Sequence, residues 1–199
     1  MRELHELDEL QAVADLFVDI WGPSPGNDPI NVEQMRALSH AGNYVAGAYA
    51  DGRLVGATVA FFGAPAGETL HSHITGARAG HAAGFALKLH QREWALARGL
   101  KRITWTYDPL IRRNAYFNLA KLGGLPIEYL PTFYGTVDDA INGGDDTDRV
   151  LVEWDLSHPD VVAAARLDPI PVRVPPNAEP ALYARNGLPV LGRPYADTL

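Results

Sequence analysis

Two amphipathic helices are predicted near the start of the chain. Between residues 10 and 21 the apolar side chains recur at helical spacing, while acidic and amide side chains take the opposite side. Asp8 is placed to cap this first helix, which we expect to run from about residue 9 to residue 21. The Gly/Pro-rich stretch 22–26 ends it, because neither residue type continues a helix. A second helix is predicted over residues 32–41, with Asn31 as its cap.

The pattern then changes to short apolar runs, which are typical of strands. Residues 43–50 and 54–62 are joined through Asp51-Gly52, a pair that supplies the positive φ values of a tight hairpin turn. A third run covers residues 69–75 and leads into a loop of small residues, 76–84. These runs therefore predict an antiparallel hairpin and a further strand before the loop.

A long helix is predicted next, from about residue 85 to residue 98. Its apolar residues form two stripes, one of Phe85, Leu89 and Leu96 and another of Leu87 and Trp94, which indicates burial around much of its circumference. The remaining predicted elements are a strand at 102–107, a helix at 114–122 and strands at 127–133 and 150–156.

This order of elements predicts an α+β (mixed α/β) fold. We expect a central mixed, largely antiparallel sheet flanked by helices, since strands and helices do not alternate as in a regular βαβ array. Beyond residue 157 the chain is rich in Pro and poor in aromatic residues, which indicates an extended C-terminal arm.

Composition narrows the function classes. The 199 residues carry 17 basic and 24 acidic side chains, a net charge of −7, which argues against a nucleic-acid partner because phosphate contacts need clustered Lys and Arg. The chain has no Cys, so thiol nucleophiles and thiolate metal sites are excluded. No apolar run approaches the length of a membrane span and the first residues do not resemble a secretory signal. We expect a cytoplasmic protein without membrane contact.

The most informative segment is a strand, a Gly/Ala-rich loop and a long helix in succession, read as LHSHITG, ARAGHAAG and FALKLHQREWALARG. Small residues let the main chain approach a ligand closely, and the following helix N-terminus adds positive potential. Such a loop can hold a pyrophosphate without Lys or Arg. The alternative is that Gly and Ala only permit a tight strand-to-helix connection.

Together these elements resemble the acetyl-CoA-binding core of the GNAT superfamily of N-acetyltransferases. A helix ending in Lys121-Leu122-Gly123 resembles the second cofactor-side segment of that superfamily. More narrowly, HSHITG, REWALARG, ITWTYDPL, RRNAYFNLAKLG and DDTDRVLVEW resemble an uncharacterised branch of predicted acetyltransferases. The resemblance covers residues 1–157, the expected acyltransferase domain, and leaves the Pro-rich extension 158–199 unexplained.

The resemblance implies a cofactor site built mainly from backbone. In the superfamily the end of the third long strand binds the pantetheine arm by main-chain groups, which here implies Ile74, Thr75 and Gly76. The loop then normally reads Arg/Gln-x-x-Gly-x-Gly/Ala. One register begins at His81; the other begins at Ala79 and implies a shorter loop. The loop residues expected to bind the cofactor are Gly80, His81, Ala82, Ala83 and Gly84.

Further candidates follow the strand at 102–107. Arg112, Arg113 and Asn114 lie at a strand-to-helix junction, where an Arg could contact a cofactor phosphate; a solvated surface pair is the alternative. We include Arg112 and Asn114 among the expected cofactor contacts.

Acid–base candidates also follow from the resemblance. The superfamily often places its base on the strand before the cofactor loop, where His71 and His73 lie two residues apart and therefore on one face. A neutral imidazole suits proton abstraction at pH 7; a hydrogen-bonded structural role is the alternative. The usual acid is a Tyr, but Leu119 takes its aligned position. Tyr116, one turn earlier, is the substitute candidate.

These residues predict an acyl-CoA-dependent N-acyltransferase, with acetyl-CoA as the expected donor and an amine of a small molecule or peptide as acceptor. The competing prediction is a non-catalytic GNAT-like binding or regulatory module with a degenerate CoA loop. A third is that the cleft binds another ligand. No metal is expected: the acidic run between Asp138 and Asp148 lacks the spacing of a calcium loop. A homodimer stays open, because the Pro-rich arm could wrap a partner subunit.

Overall fold

The computed structural model describes residues 1–23, 27–135, 147–168, 176–177, 182–186 and 188–191. Most of the acidic run before Asp148 and much of the Pro-rich arm therefore lie outside the described residues. The helices are α1 Leu7–Trp21, α2 Val32–His40, α3 Ala83–Ala97, α4 Arg112–Ala115, continued by a π-helical turn Tyr116–Lys121, and α5 Pro159–Ala165. The strands are β1 Arg2–Glu3, β2 Tyr44–Ala50, β3 Arg53–Gly63, β4 Thr69–Ala77, β5 Arg102–Tyr107, β6 Leu125–Leu130, β7 Arg149–Asp155, β8 Leu182–Arg185 and β9 Leu188–Leu191.

Seven strands form one mixed sheet in the order β1-β2-β3-β4-β5-β7-β6. All neighbours pair antiparallel except β4 and β5, which are parallel. The predicted α+β fold with a largely antiparallel sheet is confirmed. The hairpin turn is confirmed as well, since Asp51 and Gly52 both have positive φ, at 49° and 74°. Strands β8 and β9 form a separate hairpin.

The helix starts follow from their caps. Asn31 caps α2 as predicted, and its side chain accepts a hydrogen bond of 2.8 Å from the backbone N–H of Gln34. For α1 the prediction of Asp8 as cap is wrong. Glu6 is the cap and forms a reciprocal capping box with Glu9, so the helix begins at Leu7, ahead of the predicted start.

Helices cover the two faces of the sheet unequally. On one face α1 and α2 pack against the β1–β4 half through a core that includes Leu10, Phe17 and Met35. On the other face α3, the π-helical turn and α5 pack against the centre of the sheet, with Trp94 and Val161 among the buried residues. Only one predicted stripe of α3 is buried: Leu87 and Trp94 are inside, while Leu96 is 42% exposed. Among the described residues no helix covers the α1/α2 face beyond β4.

Candidate functional site

The two parallel strands of the sheet separate part-way along their length. Strands β4 and β5 pair only at Thr69–Arg102, Leu70–Ile103 and His71–Thr104. Past these pairs β4 continues along β3 to Ala77, and β5 continues along β7 to Tyr107. We call the gap between residues 72–77 and 105–107 the fork. Within the described structure the facing edges have no ladder partner, so their main-chain groups are available to a ligand.

A β-bulge sets which side chains line each face of the fork. The register between β3 and β4 shifts at Val59/Ala60, and His73 is the extra residue. His71 and His73 lie on the same face, as predicted, because both rings contact Phe61, with centroids 5.3 and 5.8 Å from its ring. Ser72 points to the opposite face, where it meets α3. The histidines therefore lie on the face that α1 and α2 leave open.

The predicted main-chain segment runs along the edge of the fork. Thr75 faces α3, where its hydroxyl lies 2.8 Å from the Thr58 hydroxyl. Ile74 packs against the α1/α2 core. A Cβ on Gly76 would lie 2.6 Å from Cη2 of Trp21, so close packing of α1 already requires this glycine. The small size of Gly76 is thus explained without a ligand, while its backbone remains at the fork edge.

The loop after β4 is short, because α3 begins at Ala83 rather than near residue 85. This start favours the register that begins at Ala79. Gly80 has φ +88°, and Ala82, the N-cap, has φ +49°, an unfavourable value for a residue with a Cβ. Ala82 has no side-chain acceptor, and among the described residues no side chain caps this helix end. The first amides of α3 are therefore available to an acceptor group.

The next two residues of the loop segment have different environments. Ala83 is buried in a small core with Leu87. In contrast, a Cβ on Gly84 would meet no described atom within 4 Å. Packing thus accounts for Ala83 and leaves the absence of a side chain at Gly84 unexplained by the fold. His81 is exposed.

Helix α4 begins at the same edge of the sheet, beyond the carboxyl end of β5. Arg112 is exposed and Asn114 is half-buried; the backbone N–H of Asn114 donates to the Ile111 carbonyl at 2.8 Å. Since β4 and β5 are parallel, the N-termini of α3 and α4 both flank the open end of the fork. Ligands of open sheets commonly bind at this position, outside the carboxyl ends of parallel strands.

Both histidines of the site are held in the neutral form at pH 7. Nδ1 of His71 lies 3.0 Å from Oγ1 of Thr104. Burial, together with repulsion from His73 and Lys88, lowers the pKa of His71 to about 4. Burial also lowers the pKa of His73. Among the described residues no side chain hydrogen-bonds the His73 ring, which leaves this imidazole free to meet a substrate.

Neither of the two positions considered for the acid, 116 and 119, holds a buried proton donor. Tyr116 is 66% exposed at the start of the π-helical turn. Leu119 packs against the core beside the sheet. The inward-facing residue is Asn118, whose Oδ1 accepts a hydrogen bond of 3.0 Å from Nε1 of Trp105.

Sequence reasoning missed Lys88, a buried lysine at the fork. Its Nζ lies 2.9 Å from Oγ of Ser72, 3.2 Å from Oε1 of Gln91 and 3.9 Å from the ring centroid of Trp105. Burial lowers its pKa to about 7. A signal was present in the sequence: Gln91 and Ala95 follow Lys88 at i+3 and i+7 and share its side of the helix, next to the buried stripe.

Comparison with solved structures shows that the fold is similar to that of acetyltransferases, including a GNAT family member. Aminoglycoside 6'-acetyltransferase type Ii superposes with a TM-score of 0.58 at 19% identity, covering 78% of this chain and 96% of that one. The ribosomal-protein-S18-alanine N-acetyltransferase from Escherichia coli gives 0.62 at 12% identity, covering 79% and 93%. A GNAT family acetyltransferase from Elizabethkingia anophelis with acetyl-CoA bound gives 0.53 at 16% identity, covering 71% and 88%.

At these identities the likeness shows the fold, and the GNAT resemblance of the sequence is confirmed at that level. No protein-family model matches the chain, and comparison with curated protein sequences gives no match. In the described part of the chain no helix is both long and apolar enough to cross a membrane, and no cluster of His, Asp or Glu side chains has the geometry of a metal site.

Proposed function

We propose that the chain is an acyl-CoA-dependent N-acyltransferase that uses acetyl-CoA and acylates an amine of a small molecule or peptide. The observation that carries this proposal is the fork. It combines two unpaired main-chain edges with an uncapped helix N-terminus at its open end. Solved acetyltransferases with the same fold, one of them with acetyl-CoA bound, support it.

The residues at the open end fit the diphosphate of a CoA donor. The first amides of α3 are available, and the helix adds positive potential there. Gly84 leaves space above this turn, since a Cβ there would meet no atom of the described residues within 4 Å. The exposed guanidinium of Arg112 and the half-buried Asn114 stand at the neighbouring helix start as further proposed contacts. An acidic protein can bind an anionic donor in this way with few basic side chains.

The main chain at Ile74, Thr75 and Gly76 is the proposed site of the pantetheine arm. These residues continue β4 past its last pair with β5, so an extended arm can lie beside them as an added strand partner. The arm would then lead from the start of α3 toward the point where the strands meet.

The acceptor amine is proposed to enter from the opposite, open face. His73 is the proposed base, because its ring has no described side-chain partner and is neutral at pH 7. It would take a proton from the acceptor nitrogen as this nitrogen attacks the acyl carbon. His71, hydrogen-bonded to Thr104 and with a pKa of about 4, is the weaker base and is proposed to support His73. Tyr116 remains a proposed alternative proton donor.

We also keep the division into a 1–157 acyltransferase domain and a 158–199 extension as a proposal. In the structure α5, which follows the boundary, packs against the core through Val161. The extension therefore includes at least one element that adheres to the domain.

The test is calorimetric titration with acetyl-CoA, using a Gly84→Leu variant. A side chain at Gly84 should obstruct the donor without disturbing the protein, since nothing lies within 4 Å of a Cβ there. We expect affinity to fall by about tenfold or more, roughly 1.4 kcal/mol. Because Gly84 lies in the first turn of α3, replacing it should meanwhile add less than the roughly 1 kcal/mol of a helix-interior glycine.

The matched control is Ala97→Leu, an exposed substitution at the other end of α3, which should leave affinity unchanged. Absence of binding by the wild-type chain at millimolar acetyl-CoA would refute the proposal. Binding without acetyl transfer to any of a panel of primary amines and peptide N-termini would favour the non-catalytic module, which Leu119 at the usual tyrosine position supports.

A further inference from the structure

A lysine side chain is enclosed at the point where the two parallel strands separate. Lys88 reaches from α3 into this point with a relative exposure of 4%. Its Nζ is 2.9 Å from Oγ of Ser72 and 3.9 Å from the Trp105 ring. These residues directly follow His71 and Thr104, the last pair that joins β4 to β5. The amino group therefore bridges the apex of the fork on its α3 side.

This amino group has only uncharged partners. Besides Ser72 it donates to Oε1 of Gln91 at 3.2 Å, and Gln91 in turn donates to the Thr58 hydroxyl at 3.4 Å. Within the described structure no carboxylate forms a salt bridge with it. A buried ammonium without a carboxylate is costly, so it is a poor choice for stability alone. Perturbed titratable groups of this kind concentrate at functional sites.

The apex is also where the reactive end of the proposed donor would arrive. With the diphosphate at the start of α3 and the arm along β4, the thioester points toward Ser72. The distance along β4 from Ala77 to Ser72 is about 16 Å at about 3.3 Å per residue. An extended pantetheine arm is of comparable length. Among the described residues, the cationic side chain at that end is then Lys88, whose Nζ lies 2.9 Å from Oγ of Ser72.

Resting on the proposed function, we propose that Lys88 is the general acid that protonates the leaving thiolate. The acceptor nitrogen forms a bond to the acyl carbon and gives its proton to His73. The carbon–sulfur bond breaks and its electron pair goes to sulfur. Nζ of Lys88 then donates a proton to that sulfur, which leaves a free thiol and a neutral lysine. Solvent exchange returns the proton from His73 to Lys88. The role falls to Lys88 because Leu119 cannot donate a proton.

The electrostatic surroundings suit this role. Burial holds the pKa of Lys88 near 7, close to the value of a thiol of about 8.5, the match that general acid catalysis favours. The titratable neighbour is His71 on β4, whose pKa the lysine charge helps to lower. The side chains that face Lys88 from the other elements, directly or through Gln91, are uncharged: Gln91 on α3, Thr58 on β3 and Trp105 on β5.

The experiment measures the ionisation of the thiol of bound CoA. The ultraviolet absorbance of the thiolate is followed against pH for the wild-type chain, Lys88→Met and the control Lys101→Met, an exposed lysine paired with Glu68. We expect the wild type and the control to lower the thiol pKa of bound CoA by roughly a few tenths of a unit, because Lys88, with a pKa of about 7, is already mostly neutral where a thiol ionises, at about 8.5. Lys88→Met should leave it at the solution value while binding CoA as tightly by calorimetry.

Turnover gives a second readout. Lys88→Met should lower kcat about 100-fold with acetyl-CoA. The loss should shrink when the acetyl donor carries an acidic aromatic thiol, which leaves without a proton. Thermal unfolding will show that the variant is folded, since methionine is apolar and of similar length.

Three results would overturn the proposal. The first is a thiol pKa of bound CoA that is the same in Lys88→Met as in the wild type. The second is an equal loss of kcat with both acetyl donors, and the third is a stable acetyl group on Lys88 in peptide mass spectra of the wild type. Failure of the wild type to bind CoA is a different result, since it removes the proposed function itself. Binding without any shift of the thiol pKa removes only the role of Lys88.

Discussion

The two faces of the fork differ in what builds them. On the open face His71 and His73 come from alternate positions of one strand, and both are half-buried. On the α3 face the polar groups come from separate elements, and Ser72, Lys88 and Gln91 are all buried. The strand alternation places the first pair directly, whereas packing of a helix on the sheet assembles the second group. The half-buried histidines of the open face can therefore exchange protons with solvent and substrate. On the enclosed face a charge on Lys88 carries an unfavourable desolvation free energy.

The largest expected effect is on the open face, at His73. Replacing His73 with Ala should lower turnover with acetyl-CoA by about 100-fold or more, because it removes the proposed base. His71→Ala on the same face is the matched comparison and should cost less, since its pKa of about 4 makes it a weak base. Steady-state kinetics with an amine that supports transfer measures both. Equal losses in the two variants would contradict the assignment to His73.

The enclosed face should reveal itself in the alkaline stability of the protein. Because the folded-state pKa of Lys88, about 7, lies below the ordinary value of 10.5, the unfolded chain binds more protons between these pH values. Stability should therefore rise as pH increases from 7 toward 10.5, by a few kcal/mol at about 1.4 kcal/mol per pKa unit. Denaturant unfolding at several pH values measures this rise, and Lys88→Met should abolish it.

On the open face, His71 should make folding stability depend on pH at the acid side, by less than Lys88 does at the alkaline side. The pKa of His71 is depressed from 6.5 to about 4, so its contribution is complete above pH 6.5 and is lost as pH falls through 4. We expect a loss of about 1–2 kcal/mol over this range, reduced by solvent screening of a half-buried ring. His71→Asn should flatten that part of the stability curve. If the loss of stability between pH 6.5 and 4 is the same in His71→Asn as in the wild type, the His71 ring is not held neutral by the fold.

The smallest effect concerns the loop that joins the fork to α3. Ala82 adopts φ +49°, a left-handed conformation that costs a residue with a Cβ about 1 kcal/mol. Ala82→Gly should therefore stabilise the fold by up to about that amount. It should leave acetyl-CoA affinity unchanged, because the backbone path is kept. Chemical denaturation and calorimetry test the two statements, and lower stability would mean that the glycine gains more freedom in the unfolded chain than it relieves in strain.

Local patterns were sufficient where the structure depends on local chemistry. The Asp51-Gly52 hairpin, the Asn31 cap and the common face of His71 and His73 all follow from turn, capping and alternation rules. The mixed, mainly antiparallel sheet followed from the order of such elements. The cap of α1 was misplaced because Asp is a preferred capping residue by type and Glu is not, whereas the observed start depends on the capping box between Glu6 and Glu9.

The rest depended on contacts between distant residues. The separation of β4 from β5 results from competition among strand partners, which no single stretch encodes. The burial of Lys88 was missed because lysine is normally placed on a solvent face, although its helical position matches the buried Gln91 and Ala95. The exposed position of Tyr116 follows from the π-helical turn, whose altered periodicity cannot be obtained from a 3.6-residue pattern.

The extra residue at His73 has a consequence for how this strand can change over time. Before it, even-numbered positions such as Ser72 point toward α3; after it, odd-numbered positions such as Thr75 do so. Removing His73 alone would restore regular pairing and leave Ser72 and Ile74 opposite Ala60 and Val59, on their present faces. Removing a residue after the bulge would instead exchange inside and outside for the rest of the strand, including the stretch beside Trp21. The strand can therefore lose His73 and keep its core, while the spacing from Ile74 to Gly76 has to be inherited as a unit.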